Sequence, residues 1–244
     1  MAQGGLTRRH LFAASLVGGA SLLASTSLAR TIAGGIPWVA GMDPEPRGFD
    51  GLRFLTDAER RCVDAIVSRL IPTDDAGPGA REAGVIDFID NQLAGQFGRG
   101  ERWYMRGPFV EGTEQQGYQS EQTPAELNRA AIESLDKYSR DRFDGKVFAE
   151  LPEAEQDAIL KRMDEGELEL DGVSASAYFS MVHENAIEGF FCDPIYGGNR
   201  DMIGWRYVGF PGARYDYRDF LDHNGSAIPL EPVSLKGRPG WNVE

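Results

Sequence analysis

Metal-ligating and nucleophilic side chains are scarce in this chain. Of 244 residues, three are His and two are Cys. His10 stands near the N-terminus, and His183 and His223 lie far apart along the sequence. The pair His183-Glu184 lacks the second His that a zinc-binding helix needs one turn on. A helix-surface or core-edge position is therefore favoured for His183 over a metal or acid–base role. No C-x-x-C-H run is present to attach a haem, and no G-x-G-x-x-G follows a strand to hold a dinucleotide. Neither G-x-S-x-G nor G-x-x-x-x-G-K-[ST] occurs, which removes the nucleophile elbow and the P-loop. The acidic run from Asp164 to Asp171 reads as a solvated turn. Within it, Glu165-Gly166-Glu167-Leu168-Glu169 lacks the alternating oxygen ligands of a calcium loop.

Basic residues are also in deficit: 25 Lys and Arg face 38 Asp and Glu, a net charge of −13 that argues against nucleic acid or anionic lipid as a partner. Apolar residues make up 41% and charged residues 26%, which is the globular range. Long apolar runs are missing after residue 30, whereas a membrane-spanning helix needs about 20 such residues. Membrane association would have to come through another subunit. The two cysteines, Cys62 and Cys192, are a candidate disulfide in an oxidising compartment; the other reading is two buried thiols acting as small apolar residues.

What is present begins at the N-terminus. Met1 to His10 is polar and positive and contains Thr7-Arg8-Arg9-His10. Leu11 to Leu23 is weakly apolar, with Ser15, Gly18 and Gly19 inside it, and Ser27-Leu28-Ala29 offers the small residues that signal peptidase reads. Residues 1–29 are therefore expected to be a twin-arginine export signal built on Arg8 and Arg9 and cleaved after Ala29. This segment holds two arginines and no acid, so its removal takes the net charge from −13 to −15. The remaining chain is long enough for one domain with a core.

Residues 30–53 are rich in Gly and Pro and read as an extended arm, in which Trp38 and Phe49 are candidate pins. The run Thr56-Asp57-Ala58-Glu59 is a capping box opening a helix with Leu55, Cys62, Ile66 and Leu70 inward, and Pro72 closes it. Val85, Ile86, Ile89, Leu93 and Phe97 form a second helical stripe. A long irregular stretch, Gly98 to Gln122, holds Trp103, Tyr104, Phe109 and Tyr118; loops of that length are often functional. A second capping box, Thr123 to Glu126 with Pro124 at the first helical position, opens a helix carrying Leu127, Ala131, Leu135 and Tyr138. Pro152, Glu153 and Glu155 open a fourth with Ile159, Leu160 and Met163 inward. Ser174 opens the last long helix through Phe179, Val182, Ala186 and Ile187, with Gly189 as its stop. No β-alternation of useful length is found. The expected fold is a single all-α domain of about five main helices over residues 54–222, with a coil tail over 223–244.

One segment is unusually dense. Residues 189–217 carry glycines, tyrosines, arginines and a tryptophan in a run too broken for regular structure. Large aromatics and arginines dominate protein interfaces. The same residues also suit a loop that closes the end of its own core, and composition does not separate the two. Tyr196, Asn199, Arg200, Asp201, Trp205 and Phe210 are the candidate interface residues. The Arg200 fork is suited either to a partner carboxylate or to this chain's own backbone.

The run Phe190-Phe191-Cys192-Asp193-Pro194-Ile195-Tyr196-Gly197-Gly198-Asn199-Arg200-Asp201-Met202, with Gly204-Trp205 and Gly209-Phe210-Pro211-Gly212-Ala213, resembles the small subunit of gluconate 2-dehydrogenase, the subunit 3 family. Leu70 to Asp74, Phe88 to Leu93 and Gly107-Pro108-Phe109 are similar to that family as well. Cys192 departs from the pattern, which more often has a small residue such as Ala there, so the resemblance lends no support to a disulfide. The resemblance implies a non-catalytic role, with no catalytic, cofactor-binding or metal residue in this chain. Such subunits partner a large FAD-containing dehydrogenase of sugars or sugar acids, and usually a multihaem cytochrome c that passes electrons to quinone and holds the complex on the membrane. The small subunit supplies the signal to the twin-arginine translocase, and the folded, FAD-loaded flavoprotein travels with it to the periplasm. Two other readings stay open: a catalytic subunit with a site at His183, Glu184, Arg200 and Asp201, and a free-standing exported binding protein.

Overall fold

The computed structural model describes residues 53–235 apart from 111, 117–119, 215–216, 223–224 and 227–229. Arg8, Arg9 and Ala29 of the signal, the arm from 30 to 52, Tyr118 and His223 lie outside the described residues. The described residues form six α-helices and no strand, so this part of the chain is all-α, as its periodicity predicts.

Helix α1, Asp57–Leu70, starts where its capping box predicts. Thr56 Oγ1 accepts from the Glu59 N–H at 3.3 Å, and the Glu59 carboxylate accepts from the Thr56 N–H at 2.7 Å. Ile71, preceding Pro72, takes a non-helical conformation and ends it. Helix α2, Val85–Ala94, buries Val85, Ile86, Phe88, Ile89, Asp90 and Leu93. Helix α3, Pro124–Arg142, repeats the capping box with Thr123 and Glu126. Helix α4, Glu153–Asp164, has Glu153 and Glu155 in its first turn, where acids complement the helix dipole.

Helix α5, Ala175–Phe191, runs through the middle of the domain and packs against α1, α2, α3 and α4. Its buried face is Tyr178, Val182, Asn185, Ala186, Gly189 and Phe190. Each large apolar side chain fully buried there contributes about 1.5–3 kcal/mol. Phe179 is only partly buried and Ile187 is exposed, because Tyr178 takes the inward position. Gly189 is not the stop: it lies inside the helix, where an added Cβ would come 2.9 Å from the Phe88 ring, so its smallness lets α5 close on α2. Helix α6, Ile203–Val208, is short, at 6 residues.

The described part of the C-terminal tail folds back. Val233 and Ser234 are buried, and the Val233 carbonyl accepts from the Ala213 N–H at 2.6 Å. None of the helices among the described residues is long and apolar enough to cross a membrane.

Candidate protein–protein interface

The chain between α5 and α6 is held by a few buried side chains. Asp193 Oδ1 accepts from the Ile195 N–H at 3.0 Å, and Oδ2 accepts from the Leu235 N–H at 2.7 Å, tying the tail to the loop. Asn199 is fully buried: its Nδ2 donates to the Cys192 carbonyl at 2.8 Å and its Oδ1 accepts from the Gly204 N–H at 2.8 Å. Trp205 is buried too, with Nε1 donating to the Phe191 carbonyl at 2.7 Å. Upstream, Asn91 Nδ2 donates to the Tyr196 carbonyl at 3.3 Å.

These contacts sort the six candidate residues. Asn199 and Trp205 hold the loop from within. Tyr196 and Phe210 reach solvent at 50% and 44% exposure, and Tyr207 and Val208, shortly before Phe210 in the chain, are 57% and 56% exposed. Tyr207 and Val208 escaped the sequence reading because nothing in α6 announces which of its faces is outward. Phe210 also packs edge-on against Trp205, with ring centroids 5.1 Å apart. The segment from the end of α5 to Phe210 thus carries several exposed aromatic and aliphatic side chains, residue types that are common at protein interfaces.

Arg200 and Asp201 sit on a strained bend. Asn199, Asp201 and Met202 have φ of 45°, 55° and 56°, a left-handed region that non-glycine residues adopt at a cost of about 1–3 kcal/mol each. The bend is held down at Arg200, whose N–H donates to the Ala83 carbonyl at 2.9 Å and whose guanidinium pairs with Asp87 at 2.9 Å. The Arg200 fork therefore engages this chain. Arg60 takes the other oxygen of the same carboxylate at 3.0 Å. Gly84 permits the approach: it has φ 69°, and an added Cβ would lie 2.9 Å from Arg200 Nη2. Arg81 pairs with Asp64 at 3.0 Å alongside. Together with Arg61 these residues line an open cleft of about 240 Å³. Asp87, Arg60 and Arg81 were not singled out from sequence, since 113 residues separate Asp87 from Arg200.

The cysteines are free thiols. Cys62 is buried in the core face of α1, and burial, then the Asp136 charge, pushes its thiol well up. Burial pushes the Cys192 thiol up to about 11, and Cys192 Sγ donates to the Gly189 carbonyl at 3.5 Å. The two-thiol reading is the one the structure presents: Cys62 is buried on α1, and Cys192 is the residue just past the end of α5. His183 stacks on Phe179, 5.8 Å between ring centroids, while Arg200 is seated on Asp87. Among the described residues, no group of three or more His, Cys, Asp or Glu is arranged to hold a metal ion. A second concavity, of about 740 Å³, lies between the 97–116 loop and α5, with Phe97, Trp103, Tyr104 and Met181 among its walls.

A family model described as gluconate 2-dehydrogenase subunit 3 matches residues 57–212. No curated protein and no solved structure matches the chain.

Proposed function

Because the chain belongs to the gluconate 2-dehydrogenase subunit 3 family, we propose that it is the non-catalytic small subunit of an exported FAD-dependent dehydrogenase complex. In this role it carries a signal-less flavoprotein through the twin-arginine translocase and then stabilises it in the periplasm. A multihaem cytochrome c is the expected third member and the route to the inner membrane. FAD and haem belong to the partners; this chain carries no cofactor of its own.

The observation that carries this reading is the match over residues 57–212. It includes the exposed Tyr196, Tyr207, Val208 and Phe210, side chains that suit a partner surface. Arg8 and Arg9 supply the export half of the role, and the missing nucleotide and haem motifs fit a division of labour in which chemistry lies elsewhere.

Co-expression with the flavoprotein tests it. Deleting this chain, or replacing Arg8→Lys with Arg9→Lys, should leave flavin-dependent dehydrogenase activity out of the periplasm. Undiminished periplasmic activity in the deletion strain refutes the reading.

A further inference from the structure

We propose that the cleft of Arg60, Arg61, Arg81 and Arg200 is a receptor for a carboxylate cluster on the flavoprotein that this chain accompanies. The inference rests on the small-subunit reading above and adds to it where the partner is gripped and by what chemistry.

Charge is the first observation. The chain has a net charge of −13, yet the cleft is lined by four arginines against two aspartates, a local excess of two positive charges. Layering is the second. Asp87 and Asp64 lie lower, at 28% and 26% side-chain exposure, whereas Arg60, Arg81 and Arg200 are at 35%, 64% and 56%. The carboxylates thus brace the guanidiniums from beneath, and donors are left over. Arg60 and Arg200 each spend one Nη2 on Asp87, out of five N–H donors per guanidinium. A planar fork with spare donors, already held in place, matches a carboxylate in two-point contact at little further loss of side-chain freedom.

Backbone strain is the third observation. Asp201 and Met202 hold left-handed φ at an exposed or half-exposed bend, and the bend is what presents Arg200 over Gly84. Such strain gathers at functional sites. Continuity is the fourth. The Tyr207 ring covers Gly77, where an added Cβ would meet it at 3.1 Å, and Arg200 bonds to Ala83. The exposed Tyr207 ring and the arginine cleft therefore border the same turn, residues 77–84, and one partner can cover both. An acidic occupant is the one that this cleft attracts, and it relieves the like-charge repulsion that a chain of −13 presents to an acidic partner.

The test uses the full chain co-expressed with its flavoprotein and purified as the complex. Affinity is read as co-eluting FAD absorbance across a sodium chloride series. Arg61→Glu combined with Arg81→Glu reverses the two charges that do not anchor α2 through Asp87. The expected result is at least a tenfold loss of affinity at low salt, shrinking towards none near 1 M, where charges more than about 3 Å apart are screened. Tyr207→Ala should weaken the complex equally at all salt concentrations. Helicity and melting temperature of the isolated chain identify a folding defect; in that event Arg61→Gln, which removes one charge only, should still lower affinity about threefold at low salt. A folded double variant with wild-type affinity and wild-type salt dependence overturns the proposal. So does stabilisation of the isolated chain by millimolar phosphate, abolished by the double reversal while flavoprotein affinity stays unchanged, since the cleft is then a free-anion site. A wild-type chain that retains no flavoprotein overturns the small-subunit reading itself.

Discussion

Replacing Asp90 by Ala should destabilise the domain by about 3–5 kcal/mol. The Asp90 carboxylate is buried on α2 and accepts three consecutive backbone N–H groups. Oδ2 takes Arg53 at 2.6 Å, and Oδ1 takes Phe54 at 3.0 Å and Leu55 at 2.7 Å. A hydrogen bond to a charged acceptor contributes about 1.5–3 kcal/mol, and a buried N–H left without one costs about 1–3 kcal/mol. Arg53 is exposed, so water replaces its lost bond; Leu55 is buried, and its N–H has no such recourse. The net falls below the sum of three charged bonds for that reason. Asp90→Asn keeps one acceptor oxygen for Phe54 and Leu55 but turns an amide donor towards Arg53, so about half the loss is expected. Urea unfolding followed by circular dichroism measures both. With an m-value of about 2–3 kcal/mol/M, the Ala variant's midpoint should fall by about 1–2.5 M at unchanged m. Trypsin should also cut after Arg53 faster in that variant. An Asp90→Ala midpoint indistinguishable from wild type would refute the assignment of Asp90 as the anchor of the chain's entry into the domain.

Three further outcomes follow from the same structure. Tyr178 is fully buried and its hydroxyl has no partner among the described residues, so Tyr178→Phe should raise stability by about 0.5–1.5 kcal/mol; a loss in thermal or urea unfolding would mean that the hydroxyl is satisfied. Alkylation without reductant should label both cysteines in denaturant, while in the native protein at pH 8 both react slowly and Cys192, the less buried, goes first; a mass with no label after denaturation would indicate a disulfide. Arg69 grips Asp157 through two bonds, at 2.7 and 2.8 Å, and this hydrogen bonding holds the Asp157 carboxyl below the usual range. A depressed folded value means that the pair's contribution, about 0.5–1 kcal/mol at this exposed site, is present above the unfolded value near 3.9 and is lost as pH falls through the folded one. The stability gap between wild type and Asp157→Asn should therefore be constant near neutral pH and close below about pH 4; a gap that persists there would contradict the pairing.

Local chemistry was legible in advance and long-range geometry was not. Thr56 with Glu59 and Thr123 with Glu126 announced two helix starts because a capping box is complete within four residues. The inward stripes of α3 and α4 were equally plain, since polar residues on their outer faces give the period contrast. Helix α5 is packed by neighbours on several sides, and its apolar residues spread around it, so its sequence does not show that Tyr178 takes the central place while Phe179 is partly buried and Ile187 exposed. In the 189–217 segment, composition marked the right stretch without sorting it. Asn199 and Trp205 turned inward to satisfy carbonyls of residues 192 and 191, while Tyr196 and Phe210 turned out.

By itself, the sequence determined the all-α class, the helix caps, the export signal at Arg8 and Arg9 as an expectation, and the family resemblance. Each of these is written in residues close together, or in a motif carried by contiguous runs. Only the tertiary structure decided that Cys62 and Cys192 are separate thiols, that Asp90 holds residues 53–55, and that Arg200 rests on Asp87 in a cleft with Arg60 and Arg81. Those outcomes depend on which side chains meet across tens of residues of chain, and packing around α5 sets that meeting; no local preference does.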